Sequence, residues 1–111
     1  MTNALPLLKG TIELLILKTL SWGPTHGYGI ASWLETQAAG ELEVDDSALY
    51  QALQRLETRG YVTAEWGVTE NNRKARYYTL TPAGRQQLRA GSGTWARYAR
   101  VVTAILDLTH A

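Results

Sequence analysis

Asp45-Asp46-Ser47-Ala48-Leu49-Tyr50-Gln51-Ala52-Leu53-Gln54-Arg55-Leu56-Glu57-Thr58-Arg59-Gly60-Tyr61-Val62, continuing to Leu80, is the stretch whose reading decides the fold. At about 100° per residue, Leu49, Ala52, Leu53 and Leu56 share one face of a helix over residues 47–58. That apolar face has to be buried. Ser47, Gln51, Gln54 and Thr58 lie opposite, with Tyr50 and Arg55 on the flanks. The outer face carries hydroxyl, amide, phenol and guanidinium groups and no acid, because Glu57 falls nearer the buried side. Gln and Arg are side chains that read base edges, although an ordinary solvated helix face has the same polarity. Arg59-Gly60 leads into a strand over 61–68, where Val62, Ala64, Trp66 and Val68 alternate onto one face. A polar, basic tip over 70–76 follows, and then a return strand over 76–80 with Tyr78 and Leu80 on one side and Tyr77 and Thr79 on the other. A helix followed directly by a hairpin with a charged tip is the outline of a winged helix-turn-helix: mainly α, with a small β hairpin. Modules of this kind place that helix in the major groove of DNA and the hairpin beside it.

Working outward toward the N-terminus, residues 5–20 read as a first helix. Leu8, Ile12, Leu15 and Ile16 make one face, and Leu7, Leu14 and Leu17 lie round the other side. This coverage is too broad for one burial partner. The second partner is either the C-terminal helix of the same chain or a second copy. Ser21-Trp22-Gly23-Pro24 ends the helix. Thr25 reads as the N-cap of a second helix over 27–38, with Ile30, Ala31, Trp33 and Leu34 on its apolar side. Gly27 and Gly29 in its first turn are costly for a helix. They fit either a backbone that presents free N–H groups to a phosphate or close packing by a neighbouring element. Residues 41–44 alternate and are expected to form a small strand on the hairpin. Asp45 or Asp46 then caps the third helix.

Downstream, Thr81 caps a last helix with Pro82 at its first position. It is expected to run to about residue 109, across Gly91-Ser92-Gly93. Leu88, Ser92, Trp95, Ala99, Val102 and Leu106 recur at alternating spacings of four and three, with Ile105 alongside, which is the seam of a helix lying along another helix. With Leu8, Leu14 and Leu17 of the first helix, Leu88, Trp95, Ala99, Val102 and Leu106 are the expected dimer interface. The chain divides into a DNA-binding segment, 1–80, and a C-terminal dimerisation helix, 81–111.

Composition narrows the function classes. At 111 residues and 45% hydrophobic, the chain suits one globular domain with an appended element. It has no cysteine, so disulfides and thiolate metal sites are excluded. His26 and His110 are far apart, and no metal or cofactor is expected. Nothing in the chain pairs a nucleophile with a base or cradles phosphates with a glycine loop and lysine, so an enzyme is not expected. No stretch is apolar enough to span a bilayer, and Met1-Thr2-Asn3-Ala4 lacks the basic start of a signal peptide, which makes the cytoplasm the expected location. The net charge is only +1, yet Arg73, Lys74, Arg76, Arg85, Arg89, Arg97 and Arg100 fall in 71–100 with no acid among them. A local basic stripe on a near-neutral chain fits contact with phosphates at a few points. For 85–100, ordinary solvated arginine is the alternative.

Four motifs give the chain a family resemblance: His26-Gly27-Tyr28-Gly29-Ile30, Leu49-Tyr50-Gln51-Ala52-Leu53-Gln54-Arg55-Leu56-Glu57, Gly60-Tyr61-Val62, and Arg76-Tyr77-Tyr78-Thr79-Leu80-Thr81-Pro82-Ala83-Gly84-Arg85. In this order and spacing they resemble the PadR family, regulators named for control of phenolic acid decarboxylase, and the single C-terminal helix resembles its short-tailed branch. The resemblance implies a dimeric bacterial transcription regulator, usually a repressor, with 47–58 as recognition helix. It implies that Tyr50 contacts DNA near a phosphate and that Tyr28 lies near the backbone. It also implies that Trp95 is the candidate for stacking a flat aromatic effector between the tails, although packing alone also explains a seam tryptophan. Gly29, Gln51 and Ala48 depart from the Glu, Pro and Ser or Thr usual in the family, so its sequence preference does not carry over.

The candidate DNA contacts are therefore Tyr28, Ser47, Tyr50, Gln51, Gln54, Arg55, Arg73, Lys74 and Arg76. The competing reading is a winged helix used as a protein-interaction module. Salt-sensitive binding to duplex DNA separates the two.

Overall fold

A computed structural model of the chain describes residues 4–8 and 10–110. Its elements in order are β1 (Leu5–Pro6), α1 (Thr11–Leu20), β2 (Thr25–His26), α2 (Gly27–Gln37), β3 (Leu42–Glu43), α3 (Asp46–Thr58), β4 (Val62–Val68), β5 (Lys74–Leu80) and α4 (Pro82–Leu106). The limits at residues 1 and 111 of the two expected segments, and the Met1-Thr2-Asn3 start, lie outside the described residues.

The core sits where the apolar faces of α1, α2 and α3 meet the base of the β4–β5 hairpin. Ile16, Leu17, Leu20, Ile30, Leu49, Leu53, Leu56 and Val62 are its largest fully enclosed side chains. The expected inner face of α3 is therefore its observed one: Leu49, Ala52, Leu53 and Leu56 are all buried. Asp45 is the cap, its carboxylate accepting the Ala48 N–H at 2.9 Å, while Asp46 is the acid of the first turn. β4 and β5 pair antiparallel from Val62 opposite Leu80 to Val68 opposite Lys74. The tip is thus shorter than expected, and Lys74 and Ala75 join Arg76 as strand residues.

Three expectations upstream need correction. The first helix does not begin at residue 5. Leu5–Pro6 runs parallel to Leu42–Glu43 instead, and the Leu5 N–H donates to the Glu41 carbonyl at 2.8 Å. Residues 42–43 therefore pair with the N-terminal segment and not with the hairpin. The strand added to the hairpin is β2, with Thr25 opposite Tyr78 and His26 opposite Tyr77. The cap of α2 is His26 and not Thr25: its Nδ1 accepts the Gly29 N–H at 3.0 Å.

α4 continues unbroken through Gly91-Ser92-Gly93 and ends at Leu106, short of the expected residue 109. Its start is tied to the wing. The Thr81 hydroxyl donates to the Gly60 carbonyl at 2.7 Å and accepts the Gly84 N–H at 3.0 Å. Gly84 is buried against the Tyr61 carbonyl, and a Cβ there would collide with it. Further along, α4 lies on α1. A Cβ at Gly91 would stand 2.9 Å from Leu14 Cδ1, so glycine allows the close approach. The second burial partner of α1 is thus α4 of the same chain.

This placement also sets how much of each expected interface residue a single chain already covers. Leu17 is only 1% exposed, inside the core of a single chain. Leu88 packs against that core. Leu8, Trp95, Val102 and Leu106 remain exposed, and Leu14 and Ala99 are half-buried.

Candidate nucleic-acid interface

The N-terminal turn of α2, the outer face of α3 and the inner side of the β4–β5 wing enclose one open groove. Of the sequence candidates, Tyr28, Tyr50, Gln54, Arg73, Lys74 and Arg76 line it together. Ser47 and Gln51 are exposed on α3 but stand outside the groove lining.

Tyr50 is held by the element facing it. A Cβ at Gly27 would meet Tyr50 Oη at 2.6 Å and its ring at 2.8 Å, so the ring lies directly over the start of α2. Half of the Tyr50 side chain still faces outward. Gly29 has a similar reason: a Cβ would strike Thr25 Oγ1, and its N–H is already taken by His26. Close packing accounts for both glycines. Tyr28, one residue past Gly27, is 77% exposed at the rim.

Two of the candidate arginines are engaged inside the protein. Arg55 Nε donates to Glu13 Oε1 at 2.6 Å, and Arg59 reaches the other oxygen of Glu13 at 3.4 Å. Arg55 therefore faces α1 and does not line the groove. Arg76 Nη2 donates to Glu57 Oε2 at 2.9 Å, and its guanidinium carbon stands 6.0 Å from the centre of the Tyr78 ring. Its Nε is buried with no protein partner. Burial pushes the Tyr78 hydroxyl above the ordinary tyrosine range, partly opposed by the neighbouring Arg76 charge, so Tyr78 stays neutral in the wing base. Among the described residues, Arg73 and Lys74 have no acidic partner.

Trp66 is a groove residue that the sequence pattern does not reveal. Alternation puts it on the same face as Val62, which suggests core, but it is 68% exposed and lines the groove. The available signal is strand length. On this face of β4 only Val62 and the half-buried Ala64 belong to the core, and Trp66 lies beyond them along the strand.

Trp95 lies away from this groove, on a cleft between α1 and α4 that Leu14, Gly91 and Tyr98 also line. Its indole is nearly parallel to the Tyr98 ring, at 17° with centroids 6.5 Å apart. Among the described residues no cluster of side chains fits a metal ion, and no helix is long and apolar enough to cross a membrane.

Helices α2 and α3 joined by a short connection, followed by a two-stranded wing, define a winged helix-turn-helix. The model of the transcriptional regulator PadR-like family matches residues 16–90, and the chain belongs to that family. Solved structures agree. A transcriptional regulator from Clostridium thermocellum superposes with TM-score 0.78 at 26% identity, covering 86% of this chain and 90% of that one. The smu.1704 protein of Streptococcus mutans gives 0.79 at 27% identity over 96% of this chain and 98% of the other. Bacillus subtilis PadR, solved in complex with operator DNA, gives 0.64 at 26% identity over 72% of this chain and 46% of its own.

Proposed function

We propose that the chain is a sequence-specific regulator of transcription that binds double-stranded DNA as a homodimer. In this reading 1–80 is the DNA-binding segment and 81–111 the dimerisation helix. The observation that carries it is the groove. It joins the outward amide of Gln54 and the phenols of Tyr28 and Tyr50 to Arg73 and Lys74, cations with no acidic partner among the described residues. Amides that read base edges beside cations that neutralise phosphates are what sequence-specific binding requires. The structure of Bacillus subtilis PadR on operator DNA supports the same use of this fold. The protein acts in the cytoplasm as a repressor, reads an inverted repeat and is released by a small planar aromatic molecule stacked at Trp95.

The test is fluorescence anisotropy with a duplex from the DNA flanking its own gene and a shuffled duplex of equal length. We expect tighter binding to the first, with affinity falling linearly on a log–log plot against salt. Binding to neither duplex at low salt overturns the reading in favour of a protein-interaction module.

A further inference from the structure

Trp66 is a large side chain for which the fold has no use. It belongs neither to the buried cluster nor to the residues packed against it. The aromatic ring contacts among the described residues do not include it. Its surroundings change character along the strand. On this face of β4, Val62 is 1% exposed, Trp66 68% and Val68 63%. On β5 the residues in register are Leu80 opposite Val62, Tyr78 opposite Ala64, Arg76 opposite Trp66 and Lys74 opposite Val68. A face that begins as core therefore ends as a strip of two rows, apolar side chains on β4 and cations on β5, and Trp66, Lys74 and Arg76 all line the groove.

The backbone of a nucleic acid alternates anionic phosphate with largely apolar sugar. Lys74, with no acidic partner among the described residues, can meet a phosphate. Arg76, directly opposite Trp66, is already neutralised by Glu57 at 2.9 Å. At the level of Trp66 the wing thus offers the broad apolar face of an indole in place of a free charge. We propose that Trp66, with Val68 beside it, is an apolar DNA contact of the wing, its ring packed on the deoxyribose of the strand that Lys74 holds by its phosphate. The contact is indifferent to base sequence and supplies affinity without counterion release.

This inference rests on the DNA-binding reading above, and the test keeps the two apart. Full-length Trp66→Ala and wild type are titrated with the same duplex over a range of salt. Removing a buried indole contact should raise Kd about tenfold at every salt concentration, with an unchanged salt slope and substantial recovery in Trp66→Phe. Lys74→Ala should instead lower the slope by about one. In a W22F/W33F/W95F protein, Trp66 is the sole tryptophan left, and duplex should shift its emission to the blue. Wild-type binding with no loss in Trp66→Ala and no shift in emission overturns the inference and leaves the DNA-binding reading standing. A reduced salt slope in Trp66→Ala overturns it as a sugar contact. Failure of the wild type to bind any duplex removes both.

Discussion

Gly27 shows how a single residue sets the geometry of the groove. Its position at the start of α2 signals that something needs room there, but not what. The answer is the Tyr50 ring, which a Cβ would meet at 2.6–2.8 Å. That information is tertiary, since nothing near Gly27 in the sequence points to a side chain on α3. Overpacking of this kind costs about 1–3 kcal/mol. Gly27→Ala is therefore expected to lower unfolding stability by that order in urea titration and to weaken DNA binding by displacing Tyr50. Gly93 is the matched control. It lies inside α4, and a Cβ there would meet nothing within 4 Å, so Gly93→Ala should raise stability by about 1 kcal/mol through helix propensity. Equal stability of Gly27→Ala and wild type would show that Tyr50 moves freely, and the groove would lose its fixed edge.

At the scale of elements, what is legible in the sequence is what is local. The apolar stripe of α3, the alternation of β4 and β5, and the Thr81-Pro82 start of α4 are each written within a few residues. The pairing of β1 with β3 is not, because Leu5 and Leu8 have helix-like spacing, and the partners of Leu5 and Pro6, Leu42 and Glu43, lie beyond two helices. The cap of α2 misleads for a related reason. Thr25 has the better capping chemistry in general, but Thr25 and His26 both pair with β5, and it is the His26 Nδ1 that accepts the Gly29 N–H. The joint between wing and α4 is visible only in part. Thr81 is recognisable as a cap, while its second bond, to the Gly60 carbonyl, links residues 21 apart in sequence that flank the open end of the hairpin. Losing a cap costs about 1–2 kcal/mol. Thr81→Ala is expected to reach the upper part of that range because it also leaves Gly60 without a donor, and Thr81→Ser should recover most of the loss. Urea denaturation measures both. Loss in Thr81→Ala no greater than in Asp45→Ala, where only the Ala48 N–H is abandoned, would show that the Gly60 bond adds nothing.

The whole molecule is decided by α4. Its 25 residues span roughly 37 Å, and the half nearer the wing lies on α1 through Gly91 and Leu14. The far half leaves the body of the protein with Tyr98, Val101, Val102, Ile105 and Leu106 exposed by 65, 52, 37, 61 and 77%. A contiguous apolar surface of this kind marks an interaction site. The proposed occupant, in keeping with the seam read from the sequence, is a second copy lying along the same helix. Leu17 is already core, so the proposed interface is built mainly from α4. In the proposed dimer, two wings and two α3 helices related by a two-fold axis are expected to read half-sites about 10 bp apart or a multiple of that. Sedimentation velocity at micromolar concentration should give twice the chain mass for wild type. Placing charge on the exposed face in V102E/I105E should give the chain mass, with secondary structure intact because neither side chain is buried in the monomer. The double variant should bind a full inverted repeat no more tightly than wild type binds a single half-site, since only one recognition helix remains per particle. A wild type that sediments as a monomer, or a double variant that stays dimeric, would remove α4 as the interface and with it the expected symmetry of the operator.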